Sequence, residues 1–290
     1  MERLWIVAAL CAGCGRIAFD PEALSAPPDA AAPCASFGPF AAPVHLQGPL
    51  QTPSDDWFPA PTPDELELYY YASLSGSFDI AHATRASTAD EFSAGVRVDE
   101  LSTASEDKAP TLTADSLVIV FSRANADYDL FEARRSSPTA PFGTPARIVE
   151  LSTSANELAP WLSPDGLRML YVSSAQIFET ARVDRASPWG TAVKHVELAV
   201  SGTEDSPTTS ADGLDIWFSS KAIDWDIYTA HRNTPAGPFG APLRVPELSS
   251  GRDDLGMHLS LDGRHLYYNY DTLYDGNGNA DVWVATRSCL

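Results

Sequence analysis

Residues 207–232 read PTTSADGLDIWFSSKAIDWDIYTAHR. A short segment ends in an Asp-Gly turn at Asp212 and Gly213. An apolar, aromatic and β-branched run follows, then a loop, then a second run opening at Asp226 and ending at Arg232. Turn chemistry between short runs of this composition predicts strands joined by tight connections. Near-copies stand upstream as TADSLVIVFSR at 113–123 and SPDGLRMLYVSS at 163–174.

Aligned on the turn aspartate, the chain has five copies, at Asp64, Asp115, Asp165, Asp212 and Asp262, with steps of 51, 50, 47 and 50 residues. Each copy has an inner segment, the turn, an apolar strand and a third strand. The third strands are DIAHATR, DLFEARR, QIFETAR, DIYTAHR and DVWVATR. A fourth segment of the type PFGTPARIVELS closes the unit. Four short strands repeated about every 50 residues are the signature of a β-propeller blade. The last copy stops after its third strand, whereas PFAAPVHL at 39–46 matches PFGAPLRV at 238–245. The fold class expected is therefore all-β: a five-bladed β-propeller closed by an N-terminal strand that completes the last blade. Closure brings Cys34 and Cys289 together and predicts a disulfide, which suits an exported chain.

Best seen from Pro207 to Arg232, the pattern P-x-x-S-x-D-G-x-x-x-x-F-S-S…D-I-x-x-A-x-R resembles the WD40-like propeller repeat of TolB-type periplasmic proteins. The resemblance covers residues 36–290. It implies architecture and leaves function open, because such repeats occur in envelope scaffolds, sugar-active proteins and accessory domains of peptidases. There are departures from it: Glu65 stands where Gly is usual, and Gln176 where the other third strands open with Asp.

Three regions are expected. Residues 1–13, MERLWIVAALCAG, read as a signal peptide. The run Leu10-Cys11-Ala12-Gly13-Cys14 resembles a bacterial lipoprotein signal, which implies lipidation of Cys14 and membrane contact through that anchor alone. Residues 14–35 read as a Pro/Ala-rich tether and 36–290 as the propeller. Placement in the bacterial cell envelope, at the outer membrane on its periplasmic side or surface, follows.

The 290-residue chain is 44% hydrophobic with formal charge −20. Nucleic acid is excluded as a partner, since phosphate binding needs a basic face. An envelope protein or a glycan, bound by a monomer, fits. No G-x-S-x-G, H-E-x-x-H, P-loop or paired CxxC occurs, so no catalytic residues are assigned.

Two repeated sets of charged residues stand out. The turn aspartates share one face with Arg85, Arg135, Arg182, Arg232 and Arg287, and read as a structural Asp/Arg pairing. On the other face an acid precedes each inner-strand proline (or Met257) by three residues: Asp56, Asp107, Glu157, Glu204 and Asp254. These acids are expected to ring the channel mouth. There they either bind a cationic ligand, raising one another's pKa by repulsion, or cap their own loops. The loop DGNGNAD places Asp275, Asn277, Asn279 and Asp281 at alternating positions, as at the start of a calcium loop. It lacks the glycine and glutamate that complete one, so a plain hairpin loop is the alternative. No other cofactor is expected, only Ca²⁺ at this loop. Trp57, Trp161 and Trp225 are candidates for ligand stacking, Trp217 and Trp283 for the core, and His258 for the channel. A carbohydrate-active five-bladed propeller, hydrolase or lectin, is the alternative to a non-catalytic binding propeller.

Overall fold

The computed structural model describes residues 34, 36–50, 55–74, 76–271 and 280–290. The signal and tether, with Cys14, and Asp275, Asn277 and Asn279 of the calcium-like loop, lie outside the described residues.

The chain forms five antiparallel sheets arranged as a five-bladed propeller. Strands β1 (Phe37–Phe40) and β2 (Val44–His45) come first. Blade 1 is β3 (Asp56–Pro61), β4 (Glu67–Ser73), β5 (Phe78–Thr84) and β6 (Val96–Arg97). Blade 2 is β7 (Asp107–Leu112), β8 (Val118–Ala124), β9 (Tyr128–Arg134) and β10 (Ala146–Arg147). Blade 3 is β11 (Glu157–Leu162), β12 (Arg168–Ser173), β13 (Gln176–Ala181) and β14 (Val193–Lys194). Blade 4 is β15 (Glu204–Thr209), β16 (Asp215–Lys221), β17 (Trp225–His231) and β18 (Leu243–Arg244). Blade 5 is β19 (Asp254–Leu259), β20 (His265–Asp271) and β21 (Ala280–Cys289), completed by β1 and β2 pairing with β21. The ring is thus closed by the N-terminal segment. Cys34 and Cys289 are joined beside that closure, with Cα atoms 5.2 Å apart.

The middle of each second strand is apolar on both faces because both faces are covered. Side chains alternate across a strand, so Ile119 and Phe121 of β8 pack toward blade 1 while Val118 and Val120 pack toward blade 3. The result is five separate core clusters, one between each pair of neighbouring blades.

The Asp/Arg pairing takes a different form from the one expected. Each turn aspartate accepts from a Thr or Ser two residues earlier, as from Thr113 Oγ1 to Asp115 at 2.6 Å, and from the N–H two residues later. Each arginine instead donates Nε to the carbonyl of the residue after the turn aspartate: Arg85 to Glu65 at 2.7 Å, Arg135 to Ser116 at 2.6 Å, Arg182 to Gly166 at 2.8 Å, Arg232 to Gly213 at 2.7 Å and Arg287 to Gly263 at 2.6 Å. The same guanidinium lies over the aromatic ring of the fourth segment, 4.3 Å from Phe92 in blade 1 and 4.1 Å from Trp189 in blade 3. A planar donor that also stacks does both; a lysine does not.

Glu65 bridges the first and last blades. Its Oε1 lies 2.9 Å from His265 Nδ1, and Tyr267 donates its hydroxyl to Oε2. Asp262 stands close enough to make a candidate metal triad with this pair. Arg85 reaches Tyr267 and Arg264 flanks Asp262, so cations already occupy this corner.

Candidate functional site

The five repeated acids sit at the first residue of each inner strand and are buried: Asp56, Asp107, Glu157 and Asp254 are 0% exposed and Glu204 2%. Of the two roles expected for these acids, their contacts match the capping of their own loops. Four of the carboxylates turn back under their own loops. Asp107 accepts from Thr103 N and Oγ1 at 2.7 and 3.0 Å, Glu157 from Thr153 Oγ1 at 2.6 Å, and Asp254 from Ser250 N and Oγ at 2.7 and 3.0 Å. Glu204 collects the N–H groups of Val200, Ser201 and Gly202. In Asp107 and Asp254, burial more than repulsion between acids moves the titration. It raises Asp107 against the pull of Arg123, and pushes Asp254 up to about 7 with Asp226 and Asp224 adding to it.

The acids that open the third strands are likewise engaged, each by a base on the outermost strand. Arg97 meets Asp79 at 3.1 Å, Arg147 meets Asp129 at 2.7 Å, Arg244 meets Asp226 at 2.7 Å and His45 meets Asp281 at 3.1 Å. In blade 3 the place is taken by Gln176, which donates to Glu204 at 2.7 Å.

Every inner strand also carries a bulge two residues after its acid. Phe58, Ala109, Ala159, Ser206 and Gly256 have φ of 54°, 51°, 47°, 52° and 66°, and the strand register shifts there in all five blades. Left-handed backbone at a non-glycine residue costs about 1–3 kcal/mol, and here it recurs four times. The inner-strand prolines Pro59, Pro110, Pro160 and Pro207, with Met257, line a throat just past the bulge. It leaves ≈ 10 Å³ for the centre of a water-sized sphere, and ≈ 40 Å³ remains beyond it, with Trp161 and His258 bordering both spaces. That is room for about one water and then a few. Burial pushes the His258 imidazole down to about 4, so it is neutral at pH 7.

Between acid and bulge lies one residue per blade that sequence periodicity passes over: Trp57, Lys108, Leu158, Asp205 and Leu255. All five are half-buried, and no two blades agree except in leucine. The signal was present as the first of the two variable positions inside a repeated D/E-x-x-P frame, the second being the bulge residue. Lys108 places Nζ 2.6 Å from Glu106 and 4.6 and 5.2 Å from the rings of Phe78 and Tyr128. Among the described residues Asp205 accepts only from Ser206 N and Oγ, at 2.6 and 3.3 Å, and burial pushes it up to about 6. Trp57 and Trp225 stay half-buried near this face, Trp161 is 7% exposed within the core, and Trp217 and Trp283 pack between blades 4 and 5.

No protein-family model matches the chain, and no curated protein matches it. Solved structures do. A thermostable family-43 glycoside hydrolase superposes with TM-score 0.61 at 14% identity, over 83% of this chain and 91% of that one. The α-L-arabinofuranosidase of Podospora anserina gives 0.57 at 10% identity, over 87% and 95%. TolB from Acinetobacter baumannii gives 0.51 at 16% identity over 81% of this chain, which spans only 55% of that TolB. At these identities the likeness is one of fold, and it joins hydrolases and a TolB alike.

Proposed function

We propose that the chain is a non-catalytic binding propeller of the bacterial cell envelope, anchored through lipidated Cys14, that takes an envelope protein or glycan at its channel mouth. The observation that carries this is the set Trp57, Lys108, Leu158, Asp205 and Leu255. A frame repeated in every blade serves the fold, whereas unlike side chains at equivalent places on one face serve a ligand. The opposite face is occupied by the repeated arginine–carbonyl contacts.

A carbohydrate-active reading draws support from the same positions, since Asp205 and Trp57 are the kinds of groups that grip sugars. Hydrolysis needs a second, cooperating carboxylate about 5–10 Å away. Glu106 is engaged by Lys108 and Tyr128, and the repeated acids are buried under their loops. The narrow throat favours surface binding over a deep catalytic pocket.

A thermal-shift screen of glycans and peptides against the intact protein tests the reading. A ligand-induced shift should vanish in Trp57→Ala and persist in Arg264→Ala on the opposite face. A shift lost only in the latter would move the site away from the mouth. Labelling with a fatty-acid analogue should mark the wild type and spare Cys14→Ser.

A further inference from the structure

The residue after each outermost strand makes the same backbone bond, donating its N–H to a third-strand carbonyl at 2.8 to 3.1 Å. The pairs are Val98 to Ile80, Ile148 to Leu130, His195 to Ile177, Val245 to Ile227 and Leu46 to Val282. Four of these residues are apolar, and only blade 3 places a histidine there. His195 is 8% exposed. Both of its ring nitrogens meet carboxylates: Nε2 lies 2.9 Å from Glu179 Oε2 and Nδ1 2.8 Å from Glu197 Oε1. An ionised carboxylate only accepts, so both bonds hold together only while the imidazole carries both protons.

These bonds reach into the next blade. Glu197 Oε1 also accepts the Phe239 N–H of blade 4 at 3.2 Å, and the Phe239 ring stands edge-on to the imidazole with centroids 5.3 Å apart. Two arginines face the cluster. Arg232 of β17 lies 2.7 and 3.1 Å from Glu179. Arg168 of β12 lies 3.1 Å from Glu179 and donates to the Pro235 carbonyl of blade 4 at 2.7 Å. Loss of one proton from His195 therefore falls unequally on the two acids. Glu179 keeps both arginines. Glu197 has no cation but His195 among the described residues, and its side chain is 26% exposed. A neutral His195 that keeps its proton on Nε2 serves Glu179 and turns the Nδ1 lone pair on Glu197. Repelled, Glu197 has an open path to solvent and takes with it the acceptor of the Phe239 N–H.

We propose that His195 is a proton-operated latch between blades 3 and 4: the imidazolium ties Glu179 to Glu197, and its deprotonation releases Glu197 and loosens the Phe239 segment of blade 4. Burial pulls the His195 pKa down, but the bonds to Glu179 and Glu197 outweigh it and leave the value raised. The latch is thus closed in the ordinary histidine range and opens as pH climbs past the raised value. Blades 1 and 2 carry the same inter-blade contact without the histidine. Glu100 accepts the Phe142 N–H at 3.1 Å and Glu150 the Trp189 N–H at 2.7 Å, with Val98 and Ile148 in the place of His195. Those two amides are internal controls.

Amide hydrogen exchange of the intact protein tests this, read at the Phe239, Trp189 and Phe142 N–H groups and divided by the intrinsic rate at each pH. Between about pH 6 and about pH 9.5 the protection of Phe239 should fall by about tenfold or more, the equivalent of one pKa unit. Trp189 and Phe142 should change by less than about twofold over the same range. In His195→Val, which installs the kind of residue the other blades use, the Phe239 protection should no longer depend on pH. His195→Gln, which keeps a donor and has no proton to lose, gives a second variant should the first misfold. An equal fall at all three amides would assign the effect to global unfolding and overturn the proposal. So would a fall at Phe239 that survives in either variant, or a wild-type Phe239 amide whose protection stays constant across the range.

Discussion

Glu65 of the first blade and His265 of the last are bonded at 2.9 Å across the seam where the ring closes. The hydrogen bond to Glu65 is the main influence raising the His265 pKa above its ordinary value, against a smaller effect of burial. A histidine whose folded pKa is raised contributes stability below its unfolded pKa and loses it as pH rises through the folded one. The wild type should therefore lose, as pH rises above the ordinary histidine range, stability that His265→Gln does not lose. The gap is of the order of a charged hydrogen bond, about 1–2 kcal/mol. Urea midpoints of both proteins at pH 5.5 and 8 measure it. His195, raised by its bonds to Glu179 and Glu197 despite burial, changes in the same sense in both proteins and cancels in the comparison.

Arg232 is predicted to be the most sensitive of the repeated arginines. Besides the Gly213 carbonyl and the Phe239 ring at 4.3 Å, it holds Glu179 of the preceding blade at 2.7 and 3.1 Å. Burial would raise Glu179, yet His195 and Arg232 bring it down to about 2. Its lowered pKa supplies stability above the unfolded value, and that stability is lost as pH falls toward 2. Arg232→Ala leaves the largely buried Glu179 carboxylate without one of its two strongest partners and should cost about 3–5 kcal/mol. The acid-unfolding midpoint should move up in pH. Arg232→Lys should recover little, because lysine cannot bridge carbonyl, carboxylate and ring at once. Near-complete recovery by lysine would show that charge alone matters here.

Fold and site were unequally legible in the sequence, for a physical reason. The repeat of about 50 residues and the split last blade define ring closure, because strand pairing is set by pattern and order. Depth is not set by pattern. Asp107, Glu157 and Asp254 look alike whether they face solvent or fold under a loop. The discriminating sign was the hydroxyl four residues earlier, at Thr103, Thr153 and Ser250, which is the group that bonds them. The bulge was hidden because Phe58, Ala109, Ala159 and Ser206 are not residues that advertise a left-handed backbone; only Gly256 does. Lys108 was hidden because a search for repeats discards what does not repeat.

Reducing the Cys34–Cys289 bond, or replacing both with Ser, should destabilise the closed ring without altering the blades. The cysteines are 255 residues apart. The chain-entropy model gives up to about 5 kcal/mol for so large a loop. Denaturant curves with and without reductant should shift in midpoint, while the near-ultraviolet circular dichroism of the reduced native state stays unchanged. A reduced protein that had lost its near-ultraviolet signal in buffer would mean that the β1–β21 pairing needs the bond to form at all.

Asp254 gives the opposite kind of prediction, a native residue whose charge is a burden. It is 0% exposed, Oδ2 is bonded to Ser250, and Oδ1 meets no hydrogen-bond partner among the described residues. Burial is the main reason its pKa rises to about 7, with Asp226 and Asp224 adding to it. A carboxyl with a raised folded pKa supports the fold while protonated and opposes it once ionised. Stability should thus fall as pH climbs from the ordinary aspartate range through about 7. Asn in its place keeps an oxygen for Ser250 and carries no charge to bury. Asp254→Asn should be more stable than the wild type at pH 8 by about 2–4 kcal/mol, the rough equivalent of such a shift, and should lose this advantage as pH falls to the ordinary aspartate range, about 4. Thermal melts of both proteins across that range decide it. An advantage constant with pH would place the effect in hydrogen bonding rather than charge, and a destabilised variant at pH 8 would show that the ionised carboxylate is needed by its loop.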